Sequence, residues 1–169
     1  SLSTKKFRIM PTIHIQTQIN ASRKMVFDLS RSIDVHKLST AHTNETAIAG
    51  VTSGLINLNE TVTWRAKHFG IYHQLTSKIT EFDSQYYFAD EMTQGIFKRF
   101  KHQHYFEDHQ GGTLMTDLFE YRSPLKILGK LADKLFLKNY MTKLLMQRNS
   151  LIKELAESGA GETYLTSKT

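Results

Sequence analysis

The chain has 169 residues, 40% hydrophobic and 22% charged, which is enough for one domain with a sizeable core and excludes a disordered or fibrous chain. It has no cysteine, which excludes a disulfide framework, a cysteine-ligated zinc site and a thiol nucleophile. Its net charge of +6 gathers late, where Arg122, Lys126, Lys130, Lys134, Lys138, Lys143, Arg148 and Lys153 face only Asp133, Glu154 and Glu157; with no zinc-finger or RNA-recognition motif beside it, this reads as a solvated helix face, not a nucleic-acid surface.

Ser1 to Pro11 shows little periodicity and is expected to form an N-terminal extension to a single domain over residues 12–157, with 158–169 as a mobile tail. "TIHIQTQI" (Thr12 to Ile19) alternates with period two and predicts a strand. Asn20 or Ser22 can cap a short helix carrying Met25, Val26 and Leu29 inward, and Ser32 can cap a second over Ile33 to Leu38. Asn44 to Ala49 predicts the next strand, and "GVTSG" an irregular connection.

From Glu60 the pattern is continuously β. Val62, Trp64, Ala66 and His68 share one phase. Leu75 and Ile79 continue it through a strand ending near Asp83. Phe88, Asp90 and Met92 share the phase of the next strand, and Phe100, His102, His104 and Phe106 that of "KRFKHQHYF". After the turn at "HQGG", Met115, Asp117, Phe119 and Tyr121 share the last. Such consecutive strands predict an antiparallel meander. Beyond Pro124, Leu137, Met141, Leu144, Leu145, Leu151, Ile152 and Leu155 recur near the 3.6 period. Unbroken from Leu128 to Glu157, this helix would span about 45 Å and must lie across the sheet. No apolar run reaches the ~20 residues of a membrane span, and no leader pattern opens the chain, so a cytoplasmic location is the expectation.

The order is β-α-α-β6-α, an α+β chain. Three stretches, "GVTSGLINLNETVTWRAKHFG", "FADEMTQGIFKRFKHQHYF" and "GGTLMTDLFEYRSPLKILG", carry a resemblance to the helix-grip fold of the START and birch-pollen-allergen (SRPBCC) superfamily, and within it to the polyketide-cyclase-like bacterial branch. The resemblance implies a curved sheet wrapped around the long C-terminal helix, with a cavity between them for a lipid-, sterol- or polyketide-like molecule.

The inward phases mix bulk with polar groups. Trp64, Phe88, Phe100, Phe106, Met115 and Phe119, with Met141 and Leu145 of the helix, are expected to border the ligand; His68, Asp90, His102, His104 and Asp117 interrupt them. Alternate strand positions lie about 6.6–6.8 Å apart and point the same way, so His102 and His104 can converge. Three readings follow. With Asp117 they offer a His-His-Asp donor set to an ion; either imidazole, oriented by Asp117, can move a proton in a cyclase or dehydratase; or all pair across strands as a satisfied network holding a ligand's polar head. The third is preferred. The chain is therefore expected to be a non-enzymatic binding or carrier protein for a small apolar molecule, with no metal and no cofactor. An enzyme using a His/Asp pair is the alternative; an adapter lying on a membrane surface through Lys126, Lys130, Lys134 and Lys138 is a weaker one. No pattern assigns an oligomeric state.

Overall fold

Period-two alternation places one antiparallel sheet at the centre of the molecule. In the computed structural model, which describes residues 11–122 and 136–166, its strands are β1 (Thr12–Ile19), β2 (Thr46–Gly50), β3 (Thr61–His68), β4 (Ile71–Asp83), β5 (Tyr87–Gln94), β6 (Arg99–His109) and β7 (Gly112–Arg122). They lie in the order β1-β7-β6-β5-β4-β3-β2, so the first strand pairs with the last and the rest follow as a meander. Helices α1 (Arg23–Ser30) and α2 (Ile33–Ser39) come between β1 and β2, and α3 (Lys138–Ser158) closes the order β-α-α-β6-α.

Local chemistry sets the boundaries. The hydroxyl of Ser22 accepts from the Met25 N–H and that of Ser32 from the Val35 N–H, each satisfying a free donor at a helix start. Two hairpins turn on paired residues of positive φ, Phe69-Gly70 (52° and 78°) and Gln110-Gly111 (49° and 75°), the turn form whose twist suits the flanking strands. The register of β4 against β5 slips between Ile79 and Glu81, so the inward phase changes from Ser77 and Ile79 to Phe82.

α3 crosses one face of the sheet. Its 21 residues span about 31 Å at 1.5 Å each, and its buried stripe is Leu145, Arg148, Asn149, Ile152, Leu155 and Ala156. The stretch from Leu128 to Leu135, expected to begin this helix, lies outside the described residues, as do Lys126, Lys130 and Lys134 of the adapter reading.

Two apolar clusters flank the sheet's centre. The larger joins α1, the C-terminal half of α3 and the sheet through Phe27, Leu29, Phe88, Phe106, Met115 and Ile152; the smaller holds Ile13, Phe97, Phe100, Phe119, Tyr121 and Leu145. Beyond Glu157, where a mobile tail was expected, the described residues to Thr166 turn back onto the domain. A 3-10 helix over Ala160–Tyr164 buries Gly161 against the Leu29 methyls, and Tyr164 and Leu165 lie on the larger cluster. No helix among the described residues is long and apolar enough to cross a membrane.

Candidate functional site

Between the two clusters the helix and the sheet do not meet. The space is a cavity of about 620 Å³, within the range of roughly 300–1,000 Å³ typical of small-molecule sites. Its sheet wall comes from the inward phases of β3 to β7, with Trp64, His68, Phe88, Phe100 and Phe119 among them. Met141, Leu144 and Leu145 of α3 form the opposite wall. Most of this lining is apolar. Polar groups form two sets, His36, Glu45, His68 and His73 at one end and the more buried His102, His104 and Arg148 with Asp90 at the other, the deep end.

That end is a cross-strand network. Antiparallel register sets His104 opposite both Phe88 on β5 and Asp117 on β7, and His102 opposite Asp90 and Phe119. His102 Nε2 lies 2.8 Å from Asp117 Oδ1, and His104 Nδ1 lies 3.0 Å from the same oxygen but out of line for a good hydrogen bond. His104 Nε2 is 3.1 Å from Asp90 Oδ1. The two imidazoles are 3.8 Å apart, and His104 stacks on Phe88 at 4.1 Å. From α3, Asn149 Nδ2 donates to Asp117 Oδ2 at 2.7 Å, and Arg148 Nη1 reaches to 3.6 Å from Asp117 Oδ1. Arg148 also donates to the Ser30 carbonyl and to Asn149 Oδ1, so α1, α3 and three strands share one polar cluster.

Burial and charge pull these groups in definite directions. Burial favours the neutral ring of His102 and His104 adds to this; together they outweigh the Asp117 hydrogen bond and pull His102 down to about 4. Burial alone would raise Asp117, yet the imidazole contacts and the Arg148 charge hold it well below the usual carboxylate range. Asp90 behaves likewise: burial opposes its ionisation, but the hydrogen bond from His104 and nearby positive charge leave it lowered. At neutral pH the deep end therefore presents a neutral His102 between two carboxylates, with Arg148 behind them.

The other end is bordered by aromatic groups. His68 Nδ1 lies 2.6 Å from the Tyr140 hydroxyl, and burial lowers the His68 pKa. Phe69, at the β3–β4 turn, is 62% exposed, lines the cavity and lies 4.9 Å from Tyr140 and 5.4 Å from Phe136. The cavity thus reaches the surface beside this turn. Trp64 stacks at 4.2 Å on His36, which pairs with Glu45.

Of the thirteen residues expected around a ligand, Trp64, His68, Phe88, Asp90 and Phe100 line the cavity. So do His102, His104, Phe119, Met141 and Leu145. Three do not. Phe106 and Met115 pack in the larger cluster under α1, and Asp117, at 0% exposure, sits behind the imidazoles. Asp117 supports the site without reaching its wall. Arg148 corrects the sequence reading outright: expected on a solvated face, it is 7% exposed and lines the cavity. Arg148 and Asn149 fall three and four residues after Leu145 and four and three before Ile152, so the helical stripe itself carried the signal. The missed Tyr140 follows the same logic, three residues after Leu137 and four before Leu144.

No protein-family model matches the sequence, and no curated protein matches it. Solved structures do. TTHA0849 from Thermus thermophilus is 18% identical over 84% of this chain and 97% of that one, with a TM-score of 0.66. The chain has the helix-grip fold. Major latex-like protein 151 from Panax ginseng is 14% identical over 87% of this chain and 97% of its own, at a TM-score of 0.63. The di-domain ARO/CYC StfQ of the steffimycin biosynthetic pathway is 14% identical, with a TM-score of 0.71; the match covers 89% of this chain but 51% of StfQ. At these identities the helix-grip likeness is one of architecture.

Proposed function

We propose that this helix-grip protein binds and carries one small, largely apolar molecule between its sheet and α3, with the ligand's polar end directed at Asp90, His102 and His104. The observation that supports this most is the cavity of about 620 Å³, mostly apolar in its lining, with Asp90, His102 and His104 converging on one part of it. Apolar walls drive entry by removing surface from water at about 25 cal/mol per Å², and the few convergent polar groups fix orientation. Arg148 is engaged by Ser30, Asn149 and Asp117 and so is a poor anchor for a free anion. The side chain of Asp90, 19% exposed where it borders the cavity, is an available acceptor. A ligand whose polar end donates hydrogen bonds fits better than a carboxylate. Titration with the apolar fluorophore 1-anilinonaphthalene-8-sulfonate, read by energy transfer from Trp64, is expected to saturate at one probe per chain. Leu145→Trp, which fills the cavity from the helix side, is expected to abolish it. Equal binding by that variant would place the probe elsewhere and remove the proposal.

A cyclase- or dehydratase-type enzyme is the second reading, favoured by the His102–Asp117 pair beside the cavity. A ring at about 4 is a weak base at neutral pH, which is why binding is preferred over proton abstraction by His102. Turnover of a polyketide-like substrate lost in both His102→Ala and His104→Ala, each still binding the fluorophore, would establish the enzyme.

A further inference from the structure

Asp90, His102 and His104 each offer one donor atom, and these atoms lie within 4.8 Å of one another. Around one ion with bonds of about 2.0–2.2 Å, neighbouring donors of a tetrahedral site sit roughly 3.3 Å apart. The edge from Asp90 Oδ1 to His104 Nε2, at 3.1 Å, already has that length.

The arrangement behind these atoms is the stronger argument. Asp117 Oδ1 lies 2.8 Å from His102 Nε2 and 3.0 Å from His104 Nδ1, so one buried carboxylate faces a nitrogen of each ring. His102 is held at Nε2 by Asp117, and His104 Nε2 meets Asp90 Oδ1 at 3.1 Å, the contact a bound ion would replace. A histidine held by a carboxylate through one nitrogen and offering the other is the recurrent geometry of metal-ligating imidazoles. Asp117 is itself fixed by Asn149 Nδ2 at 2.7 Å, with Arg148 at 3.6 Å. The network is also imperfect as it stands. His104, 2% exposed, leaves Nδ1 without an aligned hydrogen-bond partner.

We propose that Asp90, His102 and His104 bind one divalent transition-metal ion of the Zn²⁺, Co²⁺ or Fe²⁺ class at the wall of the cavity, with Asp117 as the outer carboxylate that holds the His102 ring and lies beside that of His104. The two-nitrogen, one-oxygen donor set suits these ions better than Mg²⁺ or Ca²⁺, which take oxygen, and better than Cu⁺, which takes sulfur. Asp90 thereby takes the ligand role that the sequence pattern offered to Asp117. All three ligands line the cavity, so the ion's remaining positions face the ligand space. The inference stands apart from the identity of the carried molecule.

Co²⁺ titrated into the full chain, stripped with EDTA and dialysed, tests it. The wild type is expected to develop the visible bands of a low-coordinate nitrogen and oxygen site, complete at one ion per chain and abolished by Zn²⁺. Asp117→Asn is expected to weaken affinity 10–100-fold, as outer-shell losses do, and Asp90→Asn at least 10-fold. His109→Ala, at the far end of β6, should bind as the wild type does. Only the spectrum of hydrated Co²⁺ in the wild type, whatever the variants do, overturns the proposal. So does undiminished affinity in Asp90→Asn, with circular dichroism confirming that the variant is folded. Fluorophore binding measured in EDTA separates this outcome from that of the carrier reading.

Discussion

The two halves of the interior have the same sheet behind them and differ in what lies in front. Under α1 and the C-terminal half of α3, Phe27 makes edge contacts at 5.3–5.7 Å with Phe82, Phe88 and Phe106, and Met115 and Ile152 are 0% exposed. Under the N-terminal half of α3, Phe100, Phe119 and Leu145 border open space, and a polar cluster stands where the aromatic core stops. α1 makes the difference, because its ring and aliphatic side chains fill one half and nothing comparable among the described residues fills the other. A helix-grip sheet therefore makes stability at one end and capacity at the other from one alternating pattern.

The largest expected effect lies in the packed half. Phe27→Ala should cost about 4 kcal/mol in urea unfolding, since a fully buried ring leaves a cavity its neighbours cannot close. Asp117→Ala, between the halves, should cost about 3 kcal/mol, because Asn149, His102 and Arg148 lose their shared acceptor. A loss below about 1 kcal/mol there would mean the network is not what joins helix to sheet.

Acid should strike the polar end next. Folding holds His102 at about 4 against an ordinary 6.5, so the unfolded chain binds this proton more readily. Stability from His102 is then full above about pH 6.5 and is lost as pH falls towards 4, by about 2–3 kcal/mol at ~1.4 kcal/mol per pH unit. The half-buried His68 adds in the same direction, and the lowered Asp90 and Asp117 extend the loss at still lower pH. Thermal melts from about pH 7.5 to about pH 4.5 should show this slope, flatter in His102→Gln; an unchanged slope would place the titration elsewhere. In the hollow half, Phe100→Ala should cost only about 1–2 kcal/mol, because the ring already fronts open space. Lys143→Ala, on the exposed side of α3, should stay within about 0.5 kcal/mol.

Much of this contrast was legible before any coordinates. Period-two alternation placed Trp64, Phe88, Phe100, His102, His104 and Phe119 on the inner face of the sheet, and Ser22 and Ser32 marked both short helices. Periodicity alone does not tell which inward residues meet a helix and which meet a void. Phe106 and Met115 share the phase of Phe100 and Phe119 yet pack beneath α1, because position along a strand decides what lies opposite. Arg148 and Asn149 were passed over for a related reason. Charge and amide groups read as solvent-facing until the stripe they occupy is set against a buried Asp117. The phase change on β4 after Ile79 depends on a bulge, and side-chain pattern carries little trace of it.

Native mass spectrometry of the full chain tests the hollow half most directly, both as purified under non-denaturing conditions and after incubation with excess 1-anilinonaphthalene-8-sulfonate. The expected spectrum shows a single non-covalent adduct per chain, released on acid denaturation and absent from Leu145→Trp. Bare chain alone in both preparations, or multiple adducts indifferent to Leu145→Trp, would contradict a ligand space between sheet and helix.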